Sequence, residues 1–119
     1  MKIGVPKEII PQEYRVGINP ETAQLLIENG HELFIQDSAG SDSGYENADY
    51  EEIGCSILDN AEDVFGVSDL IVKVKEPSFQ EVELLENKII FTYLHLSSSK
   101  ELTEKLLEHN VTGIAYETV

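Results

Sequence analysis

The chain has 119 residues, 41% hydrophobic and 26% charged, enough for one globular domain, and no apolar run approaches the roughly 20 residues that cross a bilayer. Twenty-three acidic against eight basic side chains leave a formal net charge of −15, a field that repels phosphate backbones and anionic lipid and argues against nucleic acid or membrane as partners. The one cysteine, Cys55, cannot form an internal disulfide, and a strand pattern begins at once with no signal peptide before it, so the expected location is the cytoplasm.

Short apolar runs alternate with amphipathic stretches, the pattern of βα units. The first expected strand is Lys2–Val5. Asn19-Pro20-Glu21 then supplies an N-cap, a first-turn proline and an acid matched to the helix dipole, and Asn29-Gly30 closes that helix. Glu32–Gln36 is the second strand. Ser38–Tyr45 reads as a flexible surface loop, and the acids of Glu46–Glu52 as a solvated helix face. After a third strand at Ser56–Leu58, Asp59-x-x-Glu62 is a weak capping box for a helix leading to a fourth strand, Leu70–Val74. Ser78-x-x-Glu81 and Ser98-x-x-Glu101 are stronger capping boxes, before Val82/Leu85 and Leu102/Leu106, on either side of a fifth strand at Lys88–Thr92. The sixth is Val111–Ala115.

Leu70-Ile71-Val72 and Ile89-Ile90-Phe91 are near-continuous apolar runs, as parallel strands covered on both faces require. The expected fold is α/β, a mostly parallel sheet with helices on both faces, Rossmann-like or flavodoxin-like. No helix follows the sixth strand to cover it, and the chain reads as cut at the boundary of something larger.

Parallel α/β sheets bind ligands at the carboxyl ends of their strands, where loops and helix N-termini point. Beyond the first strand lie Lys7, Glu8 and Arg15, the only arginine; beyond the fourth, Lys75; beyond the fifth, His95; beyond the sixth, Glu117. Taken singly, each has an ordinary explanation. Arg15 reads as a surface arginine paired with Glu8 or Glu13, Lys75 as a solvated strand-end lysine like Lys73 and Lys88, and His95 as a hydrogen-bonded structural histidine. Together, a guanidinium fork for a carboxylate, a second cation for a carbonyl oxygen and an imidazole that titrates near about 6.5 suit a 2-oxo acid. Other groups offer less. Cys55 reads as packing at the start of a short strand, no Cys/His spacing suggests a metal site, and His31 and His109 read as exposed helix ends. Gly40 and Gly44 do not make a G-x-G-x-x-G loop, and no lysine follows a glycine loop, so no cofactor-binding fingerprint is present.

Lys2-Ile3-Gly4-Val5-Pro6-Lys7-Glu8, Arg15-Val16 and Pro20, Gly30-His31-Glu32, Ala39-Gly40 with Gly44-Tyr45 and Tyr50, Lys73-Val74-Lys75-Glu76-Pro77, Phe91-Thr92-Tyr93-Leu94-His95-Leu96 and Ala115-Tyr116-Glu117-Thr118-Val119 follow in order over the whole chain. This series resembles the N-terminal, substrate-binding lobe of alanine dehydrogenases, in the alanine dehydrogenase/nicotinamide nucleotide transhydrogenase family. Transhydrogenase α subunits share the opening but typically lack the lysine at position 75 and the Leu-His-Leu motif, and saccharopine dehydrogenases are more remote. The resemblance implies reversible oxidative deamination of L-alanine to pyruvate and ammonia. In that scheme Arg15 and Lys75 bind substrate, His95 is the catalytic acid/base, and the NAD-binding Rossmann domain is absent from this chain. It further implies a homo-oligomer, usually a hexamer, in the full-length family, and a lobe that is inactive and prone to self-association by itself. The remaining alternatives are a non-catalytic 2-oxo-acid-binding or interaction module and the transhydrogenase domain.

Overall fold

A computed structural model describes residues 1–9, 13–92 and 100–115. The elements in chain order are β1 (Lys2–Val5), α1 (Pro20–Glu28), β2 (Glu32–Gln36), a 3-10 turn (Ser41–Ser43), α2 (Asn47–Glu51), β3 (Ser56–Leu58), α3 (Ala61–Val67), β4 (Leu70–Val72), α4 (Phe79–Leu84), β5 (Ile89–Thr92), α5 (Lys100–Glu108) and β6 (Thr112–Ala115). All six strands are expected ones, three with trimmed ends. The sheet is wholly parallel, in the order β3-β2-β1-β4-β5-β6. Strand order reverses between β1 and β4, where Ile3 stands opposite Leu70, and a doubly wound sheet opens a crevice at that point.

Alternation along the strands builds two cores. Ile3, Val5, Leu33 and Ile35 pack on one face with Ala23 of α1 and Tyr50 of α2. Ile71 and Ile90 pack on the other with Val64 and Phe65 of α3, Val82 of α4 and Leu102 and Leu106 of α5. Removing each such side chain from water contributes about 1.5–3 kcal/mol.

Local chemistry sets the element ends. Asn19 accepts the Thr22 amide at 2.8 Å, and Gly30 takes a left-handed φ of +90° that a side chain would resist. Ser78 and Glu81 form the expected reciprocal capping box of α4. The expected cap at Asp59 is displaced by one residue: Asn60 starts α3, because its side-chain oxygen reaches the Asp63 amide at 2.8 Å. Ser98 of the other predicted box lies outside the described residues.

Ser38–Tyr45 is not a plain loop. Ala39 and Gly40 are buried, the Tyr45 amide donates to the Gly40 carbonyl at 2.9 Å, and the Ser43 hydroxyl donates to the Tyr14 carbonyl at 2.5 Å. Nor is the acidic stretch only a solvated face: Glu46 and Asp49 cap α2 reciprocally, and Tyr50 is buried. His31 and His109 are half-buried rather than exposed, and Nδ1 of His109 lies 3.0 Å from the Lys105 carbonyl. Cys55 packs as expected, and burial pushes its thiol up to about 11.

The Tyr50 hydroxyl donates to the Ile18 carbonyl at 2.8 Å and thereby ties α2 to the segment carrying Arg15; burial pushes the phenol far above its ordinary range. Tyr50→Phe leaves that carbonyl without its partner, and urea unfolding is expected to show a loss of about 1–3 kcal/mol. An unchanged midpoint would mean that water replaces the hydroxyl.

Candidate functional site

β4 ends at Val72 rather than Val74: the Lys73 amide still donates to the Phe91 carbonyl at 3.1 Å, but the two amides after it find a different acceptor. The Glu8 carboxylate, delivered by the connection after β1, takes the Val74 amide on Oε2 at 3.0 Å and the Lys75 amide on Oε1 at 3.2 Å. Lys73, expected to be solvated, is instead 1% exposed, with Nζ 3.3 Å from Glu8 Oε1 and 3.6 Å from Glu81 Oε2. Its exposure is low because Lys73 shares the side of the sheet with Ile71, and α4 closes over that side with Glu81 in its first turn. Lys88 is likewise half-buried and donates to the Ser68 carbonyl at 2.6 Å. The two carboxylates offset the desolvation of the buried ammonium, and backbone amides satisfy their remaining oxygens.

Arg15 arrives by the long connection between β1 and α1. Its partner is Glu13, not Glu8: Nε and Nη2 donate to the two Glu13 oxygens at 3.0 and 2.9 Å, and the Arg15 amide adds a third bond at 2.9 Å. The Arg15 side chain is still 62% exposed. Its hydrogen bonds hold the Glu13 carboxyl below the ordinary 4.5; burial opposes them, and the charges of Arg15 and then Lys75 add to the lowering.

Because the folded value is the lower one, the clamp is complete above the unfolded value of about 4.5 and is lost as pH falls through the lowered folded value. The Arg15 Nε–H NMR signal is therefore expected to titrate with a midpoint below 4.5; a midpoint at or above it would show that the clamp does not form in solution.

Beside Arg15 opens a cleft of about 390 Å³ whose lining includes Gly17, Asn19, Thr22, Ser43, Tyr45 and Val74. It joins a guanidinium to the N-terminus of α1, two features that favour an anion. Lys75, half-buried, follows the lining residue Val74, and its carbonyl accepts the Thr92 hydroxyl at 2.7 Å. Of the residues singled out from the sequence, Arg15 lines this cleft and Lys75 directly follows its lining residue Val74. His95 and Glu117 lie outside the described residues.

Three contributors escaped sequence reasoning. In the sequence Glu8 and Lys73 read only as ion-pair and solvated groups, and Gly17 carries no assigned role. A Cβ on Gly17 would stand 2.5 Å from the Val72 carbonyl oxygen, so only glycine lets the Arg15 segment lie against the end of β4. A signal did exist for it, a glycine just after the lone arginine in a connection that must cross a neighbouring strand end.

Strand order and site together define a doubly wound α/β lobe of Rossmann topology whose switch-point crevice is charged rather than glycine-rich. The chain belongs to the family described as alanine dehydrogenase/PNT, N-terminal domain, which it matches over residues 4–119. Alanine dehydrogenases of Staphylococcus saprophyticus and Methanococcus maripaludis are 47% and 46% identical to it over 120 aligned residues, covering all of this chain and 32% of theirs. The solved structure of an L-alanine dehydrogenase is similar with a TM-score of 0.94 and 44% identity, over 98% of this chain and 32% of that one. A transhydrogenase from Sinorhizobium meliloti shares the fold, with a TM-score of 0.92 at 23% identity over 98% of this chain and 35% of that one. The chain thus spans about a third of the length of the curated relatives it matches.

Proposed function

We propose that this chain is the substrate-side lobe of an NAD-dependent alanine dehydrogenase, which oxidatively deaminates L-alanine to pyruvate and ammonia. The observation that carries the reading is the cleft that joins Arg15 to the N-terminus of α1, with Lys75 next in the chain to its lining residue Val74, in a lobe of this family. Identity of 43–47% to proteins named alanine dehydrogenase supports it over the transhydrogenase alternative.

In this reading the Arg15 guanidinium exchanges part of its pairing with Glu13 for the substrate carboxylate, held bidentately. Lys75 stabilises the developing charge on the keto or imine side. His95 holds and returns the proton of the water that attacks the imine and of the resulting carbinolamine. The described residues do not fit the coenzyme: the Val74 and Lys75 amides at the switch point already serve Glu8, whose negative charge repels a pyrophosphate. NAD is accordingly assigned to a region outside these 119 residues, and the chain is expected to be inactive by itself. The same reading expects a cytoplasmic homo-oligomer; among the described residues no helix is long and apolar enough to cross a membrane.

The test is a pyruvate titration of isotope-labelled chain, following backbone amides and the His95 ring. Saturable shifts at Arg15, Lys75 and His95, abolished by Arg15→Ala, are the expected result. A second arm joins the chain to the remainder of the Staphylococcus saprophyticus enzyme and measures alanine-dependent NAD reduction. A folded, coenzyme-binding chimera that ignores alanine, from a chain that also ignores pyruvate, would sink the proposal.

A further inference from the structure

We infer that Glu8 is a positioning residue for Lys75, fixing the lysine's main chain so that its ammonium is aimed into the switch-point crevice; the inference rests on the substrate-side reading of Lys75. β4 has ended before Val74 and Lys75, so their amides have no place in a strand ladder. Both donate to one carboxylate, on separate oxygens, at 3.0 and 3.2 Å. Across the Lys75 peptide, the Thr92 hydroxyl at the end of β5 donates to the Lys75 carbonyl at 2.7 Å. Side chains from the ends of two other strands thus hold both polar backbone groups of Lys75.

Glu8 is itself held. Its side chain is 3% exposed, and the Lys73 ammonium lies 3.3 Å from the oxygen that receives the Lys75 amide. Lys73 is steadied in turn by Glu81, whose other oxygen accepts the Ser78 amide at 2.9 Å in the α4 capping box. A structural ion pair with Lys73 would need only one Glu8 oxygen. The second oxygen, spent on a consecutive amide, matters only if the path of the backbone through Val74 and Lys75 has to be set. A glutamine has a single acceptor oxygen and would turn its NH₂ toward one of these two N–H groups.

The experiment is a double-mutant cycle in the chimera that carries the full chain. Glu8→Gln is expected to lower kcat/KM for pyruvate about tenfold, chiefly through KM, and to leave the KM for coenzyme unchanged. In a Lys75→Ala background the same substitution is expected to cost less than about twofold, since nothing is left to aim. A tenfold loss in both backgrounds, or none in either, overturns the inference while leaving the substrate-side reading intact. If Lys75→Ala by itself leaves turnover unchanged, it is that reading which fails, and the inference with it. Should Glu8→Gln not fold, Glu8→Asp retains the charge facing Lys73, withdraws the oxygens from the two amides, and goes through the same cycle.

Discussion

Lys73→Met is expected to destabilise the chain by about 3–5 kcal/mol, the usual consequence of removing one partner from a buried ionic cluster. Methionine fills much of the same space, so little of the loss comes from a cavity. It comes from Glu8 and Glu81, which keep two negative charges in a site where the ammonium stood 3.3 and 3.6 Å away. Against a total stability of about 5–15 kcal/mol for a typical domain, that loss is severe. Urea denaturation of the variant measures it, and replacing Glu8 and Glu81 by glutamine in the same chain should restore a substantial part. A cost below about 1 kcal/mol would show that the two carboxylates find other partners and that the cluster is not a unit.

Gly17→Ala is the second large effect expected. The added methyl would meet the Val72 carbonyl oxygen at 2.5 Å and the Val72 carbonyl carbon at 2.9 Å, backbone atoms of a central strand that cannot rotate away. The segment from Arg15 to Ile18 must therefore lift from the end of β4, taking the guanidinium away from the strand end and straining the Tyr50 bond to Ile18. Overpacking of this kind costs about 1–3 kcal/mol. On the proposed function, the loss in pyruvate affinity should be at least about tenfold, because the guanidinium no longer holds the place from which it would share the substrate with Lys75. Gly66→Ala is the control: it lies in α3 with nothing within 4 Å of an added Cβ, and it should be neutral or gain up to about 1 kcal/mol. Equal responses at the two positions would remove the case for a close approach at Gly17.

Much of the fold was legible because its signals are local. Asn19-Pro20 and Ser78-x-x-Glu81 act on amides within one helical turn, and apolar runs such as Leu70-Ile71-Val72 report burial on both faces without naming the neighbour. The two misplaced features are instructive. At Asp59 and Asn60, adjacent residues both qualify as caps, and the difference is a matter of which oxygen reaches an amide. At Val74, an apolar residue continues the strand pattern, yet the strand has already stopped because a side chain from the connection after β1 offers the better acceptor.

The candidate site divides in the same way. Arg15 and Lys75 are legible as the isolated arginine and a strand-end lysine in an acidic chain, and the rule that ligands sit at strand ends is what groups them in the sequence. That Glu13 is the partner of Arg15 was one of two local options in the sequence, and bond geometry chose it. Lys73 and Lys75 could not be told apart by pattern, being separated only by Val74; the sheet buries one and leaves the other half-buried.

By itself, then, the sequence determined the fold class, the six strands, the helix caps at Asn19 and Ser78 and the family resemblance, because each depends on residues within a few positions of one another or on motifs read in order. Only the tertiary structure decided the strand order, the charged cluster of Glu8, Lys73 and Glu81, and the need for glycine at position 17. Glu8 and Lys73 are 65 residues apart in the chain, and Gly17 meets a strand far along it. Such contacts depend on which strands become neighbours, a choice made by the packing of the whole sheet and recorded at no single position.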